Sequence, residues 1–308
     1  DAQQHLQPTH IQLHKLQSAL LLRVAAMAPR TRTAVHNLFK KMKKLITFTV
    51  MCLVAIAAVA QENLAVKYTV SNRDTDSGKP YSYEMVLVAN PQKSLYYNTE
   101  SLFCDSCNST PEGKAKLHEI QMKAWRVVHP DGSVTLDGRK LGLAPEKKLF
   151  LYVSKDYTAR ELAVYDRKGD GLFRYTEPMS EIEWSIMEDS TKTILGYDCI
   201  MAKSNYHGRT WTVWFTTEVP IQDGPWKLQG LPGIILSADG GNDFHIDATE
   251  VGSTSHPVPN MYLVSDYENG ERKKILADHE YYINNFESIM AARGIKINAD
   301  GSTSSRPK

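Results

Sequence analysis

Beyond residue 61 the chain is cut into short stretches of β-branched and aromatic residues, separated by turn formers. Leu64–Val70, Tyr81–Val88, Ser94–Tyr97, Ala124–Val128, Ser133–Leu136, Lys148–Val153, Glu161–Tyr165 and Leu172–Tyr175 carry this strand signature. Glu183–Met187, Lys192–Leu195, Asp198–Ser204, Arg209–Thr216, Gly233–Ala238 and Phe244–Thr249 continue it. Pro130-Asp131-Gly132, Asp137-Gly138, Gly169-Asp170-Gly171, His207-Gly208 and Gly240-Gly241 supply the turns. Consecutive short strands joined by tight turns pair antiparallel. A sheet of this size must twist and coil. The expected fold is therefore mainly β (α+β), a large curved antiparallel sheet or partly closed barrel with one or two covering helices.

Two segments break the pattern. Pro111 sits where the first helical residue belongs after a Ser109 or Thr110 cap, and Leu117 and Ile120 share a face, so a helix runs to about Met122. Ile275, His279, Tyr282, Phe286 and Ile289 recur at helical spacing within Glu271–Arg293, and Gly294 supplies the stop. After Ile297 the tail 298–308 is polar and rich in small residues, the composition of a disordered end.

The first sixty residues have a different character. Lys40, Lys41, Lys43 and Lys44 surround Met42, and sixteen uncharged residues follow from Leu45 to Ala60. At about 1.5 Å per residue that run falls short of a hydrocarbon core roughly 30 Å thick. It ends in Ala58-Val59-Ala60, so 42–60 reads as a secretory signal cleaved before Gln61, which leaves no transmembrane anchor in the mature chain. Cys52 lies within the run, not at its end, which rejects lipid attachment. Residues 1–41 read as an upstream extension or a disordered leader, and 61–297 as a single β-rich domain.

Cleavage changes the charge. The whole chain is +1, but the part from Gln61 onward holds 28 Lys and Arg against 34 Asp and Glu, a formal −6. With no basic cluster, that chain is no partner for nucleic acid. Its cysteines are Cys104, Cys107 and Cys199, an odd number that allows one disulfide of undetermined pairing or three idle thiols. Cys104-Asp105-Ser106-Cys107 has redox spacing. However, the nearest helix signal comes after it, so neither cysteine gains the helix N-terminus that activates such a thiol. A loop disulfide or inert thiols is the favoured reading.

The densest pattern lies between Thr193 and Ala238. Gly196-Tyr197, Cys199 and Gly208-Arg209 are followed by Trp214-Phe215-Thr216 and Val219-Pro220-Ile221. Asp223-Gly224-Pro225-Trp226-Lys227 and Gly230-Leu231-Pro232-Gly233-Ile234-Ile235 complete it. This series resembles the GLPGLI family, named for the last hexapeptide, with Ile234 where the name has Leu. The resemblance implies an exported protein of the periplasm or cell envelope, of the kind found in Bacteroidetes, and carries no known biochemical activity with it. Physically, Leu231-Pro232-Gly233-Ile234 suits a type II turn with positive φ at Gly233. Arg209–Phe215 has aromatics on both faces, as a strand buried twice would. The motif reads first as an architectural corner. A second reading makes it the rim of a ligand cleft, with Arg209 or Asp223 as the polar contact.

No residue set qualifies as catalytic, cofactor-binding or metal-binding. Asp166–Gly171 with Glu177 imitates a calcium loop, but Lys168 stands where a ligand oxygen belongs, and a hairpin turn explains it better. His279-Glu280 lacks a second histidine four residues on, since that position is Ile283. Lone histidines such as His207 and His245 are ordinary surface or core residues. The function expected is non-catalytic binding of an unknown envelope ligand or protein. An envelope hydrolase or metal-dependent enzyme assembled only in three dimensions is the alternative, and a lipid or lipoprotein carrier is another.

Overall fold

The computed structural model describes residues 63–73, 78–169, 171–179, 181–297 and 303–305. The chain divides into two units, 1–61 and 62–308, and every described residue belongs to the second. The leader and signal read in 1–41 and 42–60 lie outside the described residues.

The chain opens with β1 (Asn63–Arg73), β2 (Pro80–Ala89) and β3 (Lys93–Tyr97), then α1 (Thr99–Asn108) and α2 (Pro111–Trp125). A small hairpin, β4 (Arg126–Val128) and β5 (Val134–Leu136), leads through a 3-10 turn to β6 (Tyr152–Asp156), β7 (Glu161–Lys168) and β8 (Gly171–Pro178). Next come β9 (Ser185–Ile194), β10 (Tyr197–Tyr206), β11 (Arg209–Thr216), β12 (Ile234–Asp239) and β13 (His245–Thr254). The C-terminal part holds β14 (Glu268–Asn269), α3 (Arg272–Asn284), α4 (Phe286–Ala292), β15 (Ile295–Ile297) and β16 (Thr303–Ser305).

Twelve strands form one sheet in the order β14-β8-β7-β6-β3-β2-β1-β13-β12-β11-β10-β9. The fold is mainly β, and the sheet is open, with β14 and β9 at its edges. All its pairings are antiparallel except the two-residue contact of β14 with β8.

Alternation explains the core. Leu64, Val66, Tyr68 and Val70 of β1 face one side and are buried with Met85 and Leu87 of β2. The same cluster takes Val153 of β6, Leu162 and Val164 of β7, and Trp211, Val213 and Phe215 of β11. Since β6–β8 and β10–β12 stand far apart in strand order, a shared core means that the sheet coils until those inner faces meet. Each such side chain contributes about 1.5–3 kcal/mol by leaving water. On the outer face Val88, Leu95, Tyr97, Tyr152, Ala163 and Tyr165 form a second cluster with Val258 and Tyr267. The middle strands are thus buried on both sides.

Several expectations need correction. The segment expected to be a Cys-x-x-Cys loop is α1, capped by Asn98 Oδ1, which accepts from Ser101 N at 2.9 Å. Cys104 and Cys107 lie on that helix and pack with Leu117 of α2, and all three described cysteines are free. The disulfide reading is replaced by inert thiols. Ala124–Val128 is strand only from Arg126, because α2 continues to Trp125. Lys148–Val153 shifts to Tyr152–Asp156, and two expected strands merge into β9, with the register bulging opposite Ile200 and Met201. The C-terminal helix breaks at Asn285, where the backbone leaves helical geometry at φ −119°. Part of the tail expected to be disordered, Thr303–Ser305, pairs with β15. The second face of β11 is buried only at its end, at Thr216: Thr212 and Trp214 remain partly exposed, and Lys192 Nζ lies 4.4 Å over the Trp214 ring.

Candidate functional site

The motif residues divide between two hairpins and one long connection. Leu195-Gly196 and His207-Gly208 turn β9 into β10 and β10 into β11, with φ +52° and +88° in the first and +50° and +78° in the second. Two successive positive values are the type I′ geometry that matches strand twist. Tyr197 opens β10 and packs on the core, and Cys199 is fully buried within it. Arg209 Nη1 donates to Gly240 O at 3.1 Å, and its guanidinium stacks 5.0 Å from the Phe244 ring. That contact ties two turns together, and Arg209 is not among the residues lining the cleft described below.

The connection from Thr217 to Gly233 carries the rest. Gly233 does not have positive φ, whereas Gly230 does, at +88°. Gly233 N donates to Leu231 O at 2.8 Å, a three-residue turn in place of the expected type II turn. Glycine is needed at 233 because a Cβ there would sit 1.9 Å from Thr216 O. Gly224 is similarly pressed against Ile235. Leu231 is buried, while Pro220 and Pro232 face solvent and Pro225 lies inside.

Three contacts pin this connection across the coiled sheet. Asp223 is fully buried and receives Lys155 Nζ of β6 on Oδ1 and the Tyr157 hydroxyl on Oδ2. The Lys155 ammonium, also fully buried, donates in addition to Gly224 O and Leu228 O at 3.0 Å each, so all three of its protons are used. Burial pushes the Lys155 ammonium below its ordinary value while Asp223 pulls it back up. Tyr157 is held far above the usual phenol range by burial and by Asp223.

The second pin is Lys227, almost wholly buried, whose Nζ lies 2.5 Å from Glu177 Oε1 at the end of β8. His207 Nε2 stands 3.3 Å from the same oxygen, and Arg272 Nε lies 3.8 Å from Oε2. Burial raises the Glu177 carboxyl, but the bonds from His207 and Lys227 outweigh it and bring it to about 2. Trp226 (φ +54°) closes this cluster, its ring 5.7 Å from Trp211 and 5.8 Å from His207. The third pin is Trp184 Nε1, which donates to Gln229 O at 2.9 Å.

Between these pins the connection rims an open cleft of about 350 Å³. Pro220, Ile221, Gln222 and Gln229 form one wall; Asn90 and Pro91 of the β2–β3 turn, Tyr157, Arg160 and Met179 form the other. Asp223 therefore lies behind the cleft, not at its rim, and only Tyr157 joins the two.

The chemistry open to each group follows. Asp223 and Lys155 are sealed from any substrate. Glu177 is one carboxylate facing three bases and ionised down to about 2, the opposite of a general acid poised near neutral pH. Among the described residues the cleft lining has no carboxylate, imidazole or thiol, and the Tyr157 hydroxyl is committed to Asp223. Among the described residues no three His, Cys, Asp or Glu side chains gather to hold a metal ion. The calcium-loop imitation is the β7–β8 hairpin, where Asp166 pairs with Lys168 at 2.6 Å.

Sequence reasoning missed Lys155 and Tyr157, gave Glu177 and Lys227 no part in a shared cluster, and dismissed His207. One signal was present: Lys155 stands two residues after Val153 and so on the core side of its strand, where an ammonium requires a buried partner. No helix among the described residues is long and apolar enough to cross a membrane.

Residues 179–272 match the family model described as "N-glycanase peptide, N-terminal domain". No curated protein matches the sequence. Among solved structures, the chain is similar to PNGF-II in a C2 crystal, at 14% identity and TM-score 0.42, covering 70% of this chain and 32% of that one. PNGF-II in a P21 crystal gives 14% and 0.43, with 71% and 33% covered. The chain spans about a third of the length of these structures.

Proposed function

We propose that this chain is an exported, non-catalytic protein of the bacterial cell envelope, of the GLPGLI type, that binds a glycan or glycan-bearing ligand in the cleft beside its Pro220–Gly233 connection. The observation that carries this reading is the lining of that cleft. Amide, guanidinium and phenol groups alternate with proline, isoleucine and methionine, a mixture suited to a polyhydroxylated ligand with apolar faces. The match of residues 179–272 to the N-terminal domain of an N-glycanase supports the ligand class, since both cleft-forming glutamines fall within it. The Lys-rich start, short apolar run and Ala58-Val59-Ala60 end support export.

Calorimetry of the protein purified from its native envelope fraction, titrated with released N-glycans and assayed with a glycopeptide, tests the reading. Expected are a mature N-terminus at Gln61, saturable glycan binding and an unchanged glycopeptide. Hydrolysis of the glycopeptide would establish the hydrolase alternative. Cytoplasmic protein that still carries 43–60, or the absence of glycan binding, would defeat the proposal.

A further inference from the structure

Among the described residues, the cleft beside the Pro220–Gly233 connection carries one charged group in its lining, Arg160, and no carboxylate. Its other polar groups include Asn90 and Gln222, side chains able to donate from an amide nitrogen. The amide oxygen of Asn90 already accepts from Gln92 N and Lys93 N at 2.9 Å each, which turns its NH2 group outward from the turn. A cationic site furnished with donors selects ligands that bring acceptors and negative charge.

Arg160 is also placed with care. It sits in the β6–β7 turn at φ +52°, a conformation that few residues other than glycine adopt. The turn is held by Asp156 Oδ1, which accepts from Thr158 N at 2.9 Å and Ala159 N at 2.8 Å. On the far side, Met179 N donates to Arg160 O at 2.8 Å. The backbone is therefore fixed while the guanidinium stays two-thirds exposed. Its recorded ionic contact is Glu181 at 3.8 Å, and that carboxylate is itself 92% exposed, a weak and displaceable partner.

We propose that this cleft selects saccharides bearing a carboxylate, with Arg160 receiving the carboxylate in a two-pronged hydrogen bond and Asn90 and Gln222 reading neighbouring hydroxyls. This rests on the glycan-binding reading above and narrows its ligand to acidic sugars. The volume, about 350 Å³, lies at the small end of the range of roughly 300–1,000 Å³ for small-ligand pockets, so recognition reaches one or two sugar units.

The test compares digalacturonic acid with its dimethyl ester, which keeps the sugar skeleton and removes both charges. Binding is measured by calorimetry at low and moderate salt, on wild type, Arg160→Gln and Arg160→Lys. The acid is expected to bind at least about tenfold more tightly than the ester, the scale of one good charge-assisted hydrogen bond. Arg160→Gln should abolish that difference without lowering the melting temperature, and Arg160→Lys should restore only part of it, because an ammonium lacks the planar fork. Equal binding of acid and ester, or unchanged acid binding by Arg160→Gln, would overturn the proposal. If neutral N-glycans still bound in that case, the broader glycan-binding reading would stand. Loss of all saccharide binding by wild type would remove both.

Discussion

Lys155 and Asp223 meet in complete burial, joining β6 to the connection that leaves β11. Such a pair is not a large net source of stability, since removing two ions from water costs about as much as their attraction returns. What it fixes is position: the Lys155 ammonium gathers Asp223, Gly224 O and Leu228 O at one point and so sets the path of the cleft wall.

Removing one partner should therefore be far worse than removing both. Lys155→Met leaves a sealed carboxylate without its counter-ion and takes the ammonium donor from two carbonyls, and should cost about 3–5 kcal/mol in urea unfolding. The double variant Lys155→Met, Asp223→Leu should recover more than half of that loss, a coupling that a double-mutant cycle reads directly. A single variant less than about 1 kcal/mol below wild type would mean that the pair is not enclosed as described.

Gly233 and Gly230 demand glycine for different reasons, and substitution separates them. A methyl at 233 would collide with the Thr216 carbonyl, so Gly233→Ala should cost about 3 kcal/mol and Gly233→Asn more. At Gly230 the constraint is φ +88° with open space around it, so Gly230→Ala should cost about 1–2 kcal/mol and Gly230→Asn less. The order Ala against Asn at each position, measured by denaturant midpoints, checks the assignment. If Asn were the milder change at 233, the type II turn would be restored.

These two glycines show what a sequence can and cannot disclose. The hairpin at His207-Gly208 was legible from its local turn chemistry, whereas Leu195, expected to be the last residue of a strand, turned out with Gly196 to form the β9–β10 turn. The need for glycine at 233 was legible, but its cause was not, since Thr216 is seventeen residues away in the chain and reaches it only through the sheet. α1 was hidden for a related reason. Its Ser, Asp and Asn content is poor for a helix, and tertiary contacts hold it: Asp105 accepts from Tyr152 and Lys147 at 2.7 Å each, and Ser101 Oγ accepts from Leu149 N at 3.3 Å. The same contacts draw Lys148–Leu151 out of the strand expected there. The sequence reading that puts a ligand cleft at the motif names Arg209 or Asp223 as its polar contact; the cleft is instead lined by Arg160 and Asn90, which arrive from turns whose sequences carry no mark of a common site.

The cysteines should be chemically quiet. Burial, with Glu100 and Asp105 nearby, pushes the Cys104 thiol to about 11, and burial raises Cys199 as well. At pH 8 Cys104 would be thiolate in only about one molecule in a thousand. Native mature protein should react with a disulfide reagent over hours and release three equivalents at once in denaturant. Fast native labelling, or an intact mass two hydrogens lighter than the reduced chain, would contradict the free and buried thiols.

Glu177 gives the fold an acid limit. Its carboxyl lies at about 2 in the folded chain against an ordinary 4.5, because the bonds from His207 and Lys227 outweigh the effect of burial. The unfolded chain therefore binds the proton first as pH falls. The stabilisation is complete above about 4.5 and is lost progressively down to about 2, amounting to about 3 kcal/mol at most. Glu177→Gln should lower stability at pH 7, flatten the profile between those limits and converge on wild type near pH 2. Because Glu177 ties the end of β8 to Lys227 and the His207 turn, the variant should also loosen amide protection around Trp226 before it unfolds the sheet. Equal slopes for wild type and Glu177→Gln between pH 2 and 4.5 would show that another carboxylate sets the acid limit.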